Sequence, residues 1–411
     1  MHIRGCIGII LLVCIGIVFS TDRRHIRPRV IGACLLLQVA IGAGVLRVPL
    51  GQDILRGVSG LVTGLLSYGD EGARFLFGPL VGPHMRTLFP DGGYIFAFQV
   101  LPSLVYVSAL IAILYHYGIM QAFARLFGRG VQALLGTSPV ESFGAIITIF
   151  VGQSELPVAL GPYLAGMART ELFSVLCSGT ASVSGATLVG YVGLGIPADY
   201  LVAASFMAIP GGLMFGKILE PRGPESGLSP LEAGRTAYHR AFFEAVMEGA
   251  LRGAHTALAV AAMLVACIGL IALANGLLGW IGGSIGLPAL SLEYGMGLVF
   301  APLAWLLGVP AAECGAVGAA LGLKVVVNEF VAYVHLGAAI QAGRLSHRAV
   351  AIASFALCGF ANLSSIGILV AAFGSQCPDR REEVARKSAR AVLAGVLSNL
   401  TSAAIAGIII P

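Results

Sequence analysis

Long apolar segments dominate this chain of 411 residues and leave it too little charge for a water-soluble fold. Charged residues make up 11% of the sequence, whereas a soluble globular domain carries roughly 25%. Several apolar segments approach the length of about 20 residues that a helix needs to cross the hydrocarbon core of a bilayer. Helices satisfy their own backbone hydrogen bonds in lipid, so the chain is predicted to be an all-α polytopic membrane protein.

Apolar segments alternate along the chain with short polar stretches. The apolar segments lie near 4–20, 30–47, 94–118, 141–168, 172–216, 254–281, 294–312, 314–342, 348–374 and 390–410. The loop between the first two holds four arginines within seven residues, at Arg23, Arg24, Arg27 and Arg29. Clustered arginines mark the cytoplasmic side of a membrane, so the N-terminus is expected on the other side.

Four polar stretches are expected outside the spanning segments. The segments 69–82 and 119–140 are predicted to be non-spanning elements, the first lying at the membrane interface. Residues 217–253 are the most polar part of the chain and are interpreted as the seam between two halves. The basic stretch from Arg380 to Lys387 is expected to be a solvated loop face.

The segment VGQSELPVAL, from Val151 to Leu160, interrupts an apolar run. A carboxylate at membrane depth costs about 2.5–3.5 kcal/mol on insertion scales, so Glu155 is expected to face protein, water or a ligand. Gly152 and Pro157 are expected to break the helix, which lipid tolerates only where the freed backbone groups are buried or line a cavity. We therefore predict a re-entrant hairpin with Gln153 to Glu155 at its tip.

The second half of the chain repeats this arrangement. The motif NEFVAY places Glu329 beside an amide residue, as GQSELP does with Glu155. Each half continues with an apolar segment that contains a short polar run, CSGTASVSGATLVGYVG in the first half and CGFANLSSIGILVAAFG in the second. Paired interruptions at corresponding positions indicate a transporter site built between inverted repeats.

These features divide the chain into four predicted parts. Residues 1–118 would form the N-terminal helices and an interfacial helix on the scaffold side. Residues 119–216 would hold the first repeat, with its re-entrant hairpin and unwound helix. Residues 217–312 would hold an amphipathic connector and scaffold helices, and residues 313–411 the second repeat.

The polar residues of the interruptions predict a neutral ligand that is rich in hydroxyl groups. They comprise two carboxylates, a few amides, several hydroxyls and one aromatic ring, without a cluster of Arg or Lys. Carboxylates accept hydrogen bonds from sugar hydroxyls, and amides bond in both directions with the edge of a base. Single Ser, Thr or Asn residues also join membrane helices, so the prediction rests on the combination.

Other function classes find little support in the sequence. The net charge of +5 is modest, and we attribute it to cytoplasmic Lys and Arg, so no nucleic-acid partner is expected. The chain has no HExxH motif, which argues against an enzyme, and no cofactor is expected.

Four motifs resemble the concentrative nucleoside transporter family: GDEGARFLFG, GQSELP, NEFVAY and CGFANLSSIGI. The resemblance extends from about Gly69 to the C-terminus. It implies a homotrimer in the lipid of the bacterial inner membrane, with about eight transmembrane helices, interfacial helices, two re-entrant hairpins and two unwound helices per protomer. It further implies cation-coupled import of nucleosides by elevator-type alternating access. The alternative is a nucleoside-binding membrane sensor or pore without coupled transport.

The resemblance also implies roles for individual residues. Residues of the first hairpin would contact the nucleobase, namely Gly152, Gln153, Ser154 and Glu155. Residues of the second repeat would contact the ribose, namely Glu329, Asn362 and Ser365. Phe360 and Thr187 would line the pocket near the ribose and the base.

The coupling ion is a separate question. The resemblance implies a sodium site of backbone carbonyls and a hydroxyl, at Val151, Ser182 and Val183. Sodium-coupled members typically add the side chain of an asparagine, but this chain has Thr148 there. Because a hydroxyl is a weaker dipole with a shorter reach, and a hard cation needs several oxygens, the sequence slightly favours a proton. Glu155 or Glu329 would then carry it.

Overall fold

The computed structural model describes residues 2–81, 95–221, 241–284, 286–287 and 290–410. The predicted connector between the halves falls largely on residues 222–240, outside the described residues. In the described ranges all regular structure is helical, which confirms the predicted fold class. The α-helices are α1 (His2–Val18), α2 (Pro28–Arg47), α3 (Pro49–Phe77), α4 (Phe96–Gln99), α5 (Leu101–His116), α6 (Ile119–Leu135), α7 (Pro139–Ile147), α8 (Leu156–Ala159), α9 (Gly161–Leu164), α10 (Arg169–Ala181), α11 (Gly185–Gly193), α12 (Ala198–Leu219), α13 (Phe242–Ser284), α14 (Leu292–Leu306), α15 (Cys314–Val326), α16 (Glu329–Gln341), α17 (His347–Leu357), α18 (Ser364–Gln376) and α19 (Arg381–Ile409).

Six helical stretches in the described part of the chain are long and apolar enough to cross a membrane. They are Pro28–Arg47, Phe96–His116, Arg169–Gly193, Ala198–Leu219, Phe242–Ser284 and Pro378–Ile409. Their burial differs sharply: 94% of the apolar window of Arg169–Gly193 is buried, against 17% for Phe242–Ser284. The first therefore lies in the centre of the protein, whereas the second exposes most of its surface.

The centre is a packed group of three helices, α10, α12 and α19, with α1 and α2 packed against α12 and α19. Small residues bring α12 and α10 together. A Cβ atom added to Gly212 would lie 3.0 Å from the Cα of Ser178, and one added to Gly216 would lie 3.2 Å from the Cα of Ser174. Small residues spaced four apart let membrane helices approach closely.

The long helix α13 packs mainly against α5. Here too glycines spaced four apart form the contact. A Cβ atom added to Gly249 would lie 2.6 Å from the Cβ of Ala112, and one added to Gly253 would lie 2.6 Å from the Cα of Val105. Helices α5 and α13 thus form a tight pair.

The predicted break in the apolar segment 141–168 is present, but its bounds differ from the prediction. Helix α7 ends at Ile147 and α8 begins at Leu156, so the irregular segment is 148–155. Pro157 lies in the first turn of α8 rather than at a break. Proline suits that position because an N–H there would lack a helical partner in any case. The residue expected to break a helix therefore lies within the first turn of one.

The other interruptions follow the sequence prediction. In the second half, α15 ends at Val326 and α16 begins at Glu329. The two unwound segments separate α10 from α11 and α17 from α18, and Ser184 caps α11 by accepting a hydrogen bond from the Thr187 amide at 3.2 Å. Helix breaks thus recur in the same order in both halves, whereas their identity as re-entrant hairpins stays a prediction.

Two peripheral predictions need correction. The predicted interfacial segment 69–82 begins inside α3, which starts at Pro49 and stops where Gly78 adopts a φ of +57°, so its bounds were wrong, whereas its place at the membrane interface stays a prediction. The basic stretch expected as a solvated loop is mostly the start of α19. Arg380 donates hydrogen bonds to the carbonyl oxygens of Leu164 at 2.9 Å and Met167 at 2.7 Å. It therefore fastens α19 to the end of the first hairpin.

Candidate functional site

The helix interruptions of both halves meet at one cavity of about 380 Å³. This volume falls in the range of roughly 300–1,000 Å³ that is usual for small-molecule sites. The cavity is lined by all but one of the residues predicted to bind substrate: Gly152, Gln153, Ser154, Glu155, Thr187, Glu329, Phe360 and Asn362. The remaining one, Ser365, lies directly behind the lining, where its Oγ accepts a hydrogen bond from Gln153 at 2.8 Å.

Glu329 is buried and held by two hydrogen bonds. It accepts from the Tyr191 hydroxyl at 3.0 Å and from the Asn362 amide at 2.8 Å. It is also the first residue of α16, where the partial positive charge of a helix N-terminus stabilises a carboxylate. The orientation of the carboxylate is therefore set by the protein before any ligand binds.

Asn362 organises the second unwound segment. Its amide oxygen accepts hydrogen bonds from the Ser365 backbone N–H at 2.9 Å and from the Ser364 hydroxyl at 2.6 Å. Its amide nitrogen donates to Glu329. With both ends of the amide engaged, Asn362 couples the start of α18 to the carboxylate.

Glu155 differs from Glu329 in having no hydrogen-bond partner for its carboxylate among the described residues. It is half-buried and faces the cavity from the first hairpin. Arg252 lines the same cavity from α13, where it pairs with Glu248. Glu155 is thus available to accept a hydrogen bond from a ligand.

Gln153 joins the two repeats and leaves one atom unsatisfied. Its amide nitrogen donates to Ser365, whereas its buried amide oxygen has no hydrogen-bond partner in the part of the chain that the structure describes. Buried polar atoms are nearly always paired, so an orphaned acceptor beside a cavity indicates where a ligand donor can bind.

The rest of the cavity wall is built by close packing around Gly152. A Cβ atom added there would lie 3.5 Å from the ring of Phe360 and 3.5 Å from the Cβ of Ser184. The Thr187 hydroxyl lies 3.0 Å from the Ser184 hydroxyl at the start of α11. An aromatic face and two hydroxyls therefore complete the surroundings of the carboxylates and amides.

The four residues of the predicted sodium site are buried beside the cavity: Thr148, Val151, Ser182 and Val183. The Thr148 hydroxyl donates to the Ala145 carbonyl at 2.8 Å, and the Ser182 hydroxyl lies 3.0 Å from the Ser178 carbonyl and 3.4 Å from that of Thr148. Both hydroxyls direct their protons toward backbone carbonyls, which leaves oxygen lone pairs for a cation. Neutral oxygens of this kind fit a hard monovalent cation.

Three family models match consecutive parts of the chain. They describe the N-terminus of Na+-dependent nucleoside transporters (residues 7–80), nucleoside recognition (residues 97–198) and the C-terminus of Na+-dependent nucleoside transporters (residues 200–407). The putative nucleoside permease NupX of Escherichia coli is 43% identical and covers 99% of this chain and 98% of its own length. The nucleoside permease NupC of Helicobacter pylori is 43% identical over 98% of this chain and 97% of its own length.

The chain belongs to the concentrative nucleoside transporter family. The solved structures agree. CNTnw in an inward-facing, substrate-bound state has a TM-score of 0.95 at 44% identity, covering 100% of this chain and 98% of that one. A CNTnw variant in an outward-facing state also has a TM-score of 0.95 at 44% identity, covering 99% and 97%.

Membership of this family confirms several predictions made from the sequence. Because the relatives are permeases, this concentrative nucleoside transporter is a transport protein and not an enzyme. Its apolar helices and its bacterial relatives place it in the inner membrane as a multi-pass protein. The outward-facing, inward-facing and intermediate states solved for CNTnw are consistent with alternating access.

Two residues near the site of this transporter, Tyr191 and Lys324, were not predicted from the sequence. Tyr191 supports Glu329, and the buried ammonium of Lys324 lies 2.7 Å from both the Ala356 carbonyl and the Asn399 amide oxygen. A signal for Lys324 existed, since a charged residue within an apolar segment is as costly as the two glutamates that the sequence singled out. Tyr191 gave no comparable signal, because a tyrosine is common in such segments.

Proposed function

We propose that this chain imports nucleosides by cation-coupled secondary active transport. The observation that carries the proposal is that the two repeats present differently bonded polar groups to the cavity. The second repeat presents a carboxylate already fixed by Tyr191 and Asn362, whereas the first hairpin presents Gln153 and Glu155 with unused acceptor atoms. A ligand with both sugar hydroxyls and a heterocyclic N–H edge matches this arrangement.

The residues then take distinct roles. Gln153 and Glu155 would bind the nucleobase, because both residues line the cavity from one hairpin and each keeps an unused acceptor atom. Glu329 and Asn362 would bind ribose hydroxyls, with Ser365 joining them once Gln153 turns to the substrate. Phe360 would stack against the ligand above Gly152.

The position of the cavity supports an elevator-type movement. One wall is a stripe on α13 at helical spacing, formed by Gly249, Arg252, Thr256, Val260 and Met263. The opposite wall consists of the hairpins and unwound segments. A substrate held between two bodies becomes exposed to either side of the membrane when one body slides past the other. We propose that α5 and α13 belong to the static body and support a homotrimer embedded in lipid.

For the coupling ion, we propose sodium at the group of Thr148, Val151, Ser182 and Val183. Two observations favour it over the proton that the sequence slightly favoured. The matching family models describe Na+-dependent transporters, and the hydroxyls of Thr148 and Ser182 keep lone pairs free. The carboxylate of Glu155, which accepts no hydrogen bond from a described residue, keeps the proton as the alternative.

Uptake into proteoliposomes tests this proposal. Purified protein would be reconstituted, and accumulation of uridine and adenosine measured under an inward sodium gradient at constant pH and under an inward proton gradient without sodium. We expect accumulation with sodium. Accumulation driven only by protons would overturn the choice of ion. Tight nucleoside binding without accumulation or counterflow would instead favour the sensor or pore.

A further inference from the structure

Lys324 is a buried lysine in the apolar helix α15, with only 2% of its surface exposed. Its ammonium donates hydrogen bonds to the Ala356 carbonyl and to the Asn399 amide oxygen, both at 2.7 Å. Both partners are neutral. A buried charge is costly unless it is well satisfied, so its retention in the protein interior calls for a specific role.

Asn399, which accepts one of these hydrogen bonds, itself donates hydrogen bonds to both unwound helices. Its amide nitrogen donates to the Ala181 carbonyl at 2.6 Å and to the Cys358 carbonyl at 2.8 Å. Ala181 is the last residue of α10, and Cys358 follows the last residue of α17. The ends of the two half-helices therefore meet at a single side chain from α19.

The two unwound segments also touch each other at this point. The Phe360 backbone N–H donates to the Ser182 carbonyl at 3.1 Å. Gly359 lies so close that an added Cβ atom would be 2.7 Å from the Ala181 carbonyl oxygen. The site residues Phe360 and Asn362 follow directly, so the position of this crossing sets the position of the ribose-binding groups.

The electrostatics of the crossing favour a cation. The last turn of a helix exposes carbonyls without helical partners and carries about half a negative charge. At this crossing α10 and α17 end together. The ammonium of Lys324 donates a hydrogen bond to the Ala356 carbonyl near the end of α17. It also donates to the Asn399 amide oxygen, which polarises the amide group whose N–H bonds reach the ends of α10 and α17.

We propose that Lys324 is a positioning residue whose fixed charge holds the crossing of the unwound helices and, through it, the ribose-binding pair Asn362 and Glu329. In the first repeat, the end of α10 lies beside the proposed sodium group. In the second repeat, the ammonium of Lys324 lies beside the end of α17. This inference rests on the proposed function, because it concerns recognition of the ribose.

The replacement Lys324→Met removes the ammonium and keeps an unbranched side chain. The Ala356 carbonyl and the Asn399 amide oxygen then lose a charged donor, and the crossing relaxes. Hydrogen bonds to charged groups contribute enough that uridine affinity should fall about tenfold to hundredfold. The affinity for 2′,3′-dideoxyuridine, which lacks the 2′- and 3′-hydroxyls of the ribose, should fall much less. A purely structural defect would weaken both ligands alike.

Calorimetric titration of the purified, monodisperse variants tests this, and uridine accumulation by wild-type protein tests the proposed function separately. Lys324→Ala would be titrated with uridine in the presence of n-propylammonium or n-propanol. We expect n-propylammonium to restore affinity and n-propanol to have no effect. Uridine binding by Lys324→Met as tight as wild type, equal loss of both ligands, or absence of rescue by the amine would each overturn the proposal.

A second variant covers the case in which the lysine variants do not fold. Asn399→Asp has nearly the same volume and places a carboxylate against the ammonium, which neutralises the charge and removes the donors to Ala181 and Cys358. We expect the preference for uridine over 2′,3′-dideoxyuridine to shrink. An unchanged preference in this variant would contradict the role of Lys324.

Discussion

At the scale of single residues, the two carboxylates of the cavity are prepared differently. Glu329 is fixed by Tyr191 and Asn362, whereas the Glu155 carboxylate has no hydrogen-bond partner among the described residues. A fixed acceptor loses little further freedom when it binds a hydroxyl, so it can discriminate geometrically. An acceptor without such hydrogen bonds can instead change its orientation to fit the ligand. This contrast is the basis for assigning ribose recognition to Glu329 and base recognition to Glu155.

The replacement Glu329→Gln should therefore be severe. One of its two oxygens becomes an N–H2 group, which would face a donor of Tyr191 or Asn362. We expect uridine affinity to fall about tenfold or more, since charge-assisted hydrogen bonds are lost and donors are left unpaired. Titration calorimetry and uptake would measure this. Tyr191→Phe removes one donor while keeping the carboxylate, so its loss should be smaller. Near-normal transport by Glu329→Gln would refute the assigned role.

The replacement Thr148→Asn should strengthen sodium dependence. An amide carbonyl is a stronger dipole than a hydroxyl and reaches further toward the oxygens of Ser182. We expect the sodium concentration for half-maximal uridine uptake to fall, whereas Thr148→Val, which removes the hydroxyl at nearly constant volume, should raise it. An unchanged sodium response in both variants would mean that this position does not contribute to coupling.

At the scale of elements, the sequence predicted where helices are interrupted but not where each one ends. Polar residues at membrane depth located the first hairpin, yet α7 ends at Ile147 and Pro157 lies in the first turn of α8. These bounds depend on contacts between distant segments, such as the hydrogen bond from Phe360 to Ser182. A local pattern does not contain such partners.

The crossing of the unwound segments gives a prediction about packing. Gly359→Ala would place a methyl group 2.7 Å from the Ala181 carbonyl oxygen and against the Asn399 amide. Overpacking of this kind typically costs about 1–3 kcal/mol, occasionally more. We expect a lower melting temperature in detergent and reduced uptake.

A matched control for this prediction lies eight residues further along the chain. Gly367 belongs to α18, and no atom of the other elements in the described part of the chain lies within 4 Å of the position that a Cβ would occupy. Gly367→Ala should therefore leave both stability and uptake close to wild type. Equal melting temperatures for the variants at Gly359 and Gly367 would show that the crossing accommodates the added methyl group without loss of stability.

At the scale of the whole molecule, two groups of helices differ in how they are buried. The helices α10, α12 and α19 pack into a buried centre, whereas α13 packs mainly against α5 and leaves most of its surface exposed. Few contacts join α13 to the hairpins. A small interface between two bodies is compatible with sliding, which is why we propose that the cavity moves relative to α13.

This movement makes a prediction about one contact between the two bodies. The Asn328 amide nitrogen, at the tip between α15 and α16, lies 3.2 Å from the sulfur of Met263 on α13. If the hairpin travels along α13, this contact must break in every transport cycle. Cysteines introduced together by Met263→Cys and Asn328→Cys, in a background without the natural cysteines, should form a disulfide on oxidation.

The oxidised double variant should still bind uridine, because the residues assigned to the base and the ribose are unchanged, but should no longer accumulate it in proteoliposomes. Reduction should restore uptake to the level of the reduced protein. The Asn328 side chain caps α16 by accepting a hydrogen bond from the Val331 backbone N–H at 2.9 Å. Each single cysteine variant, treated in the same way, controls for the effect of the oxidant and for the loss of this cap. If the cross-linked protein transports uridine as fast as its reduced form, the hairpin does not move past α13, and the proposed elevator movement is wrong.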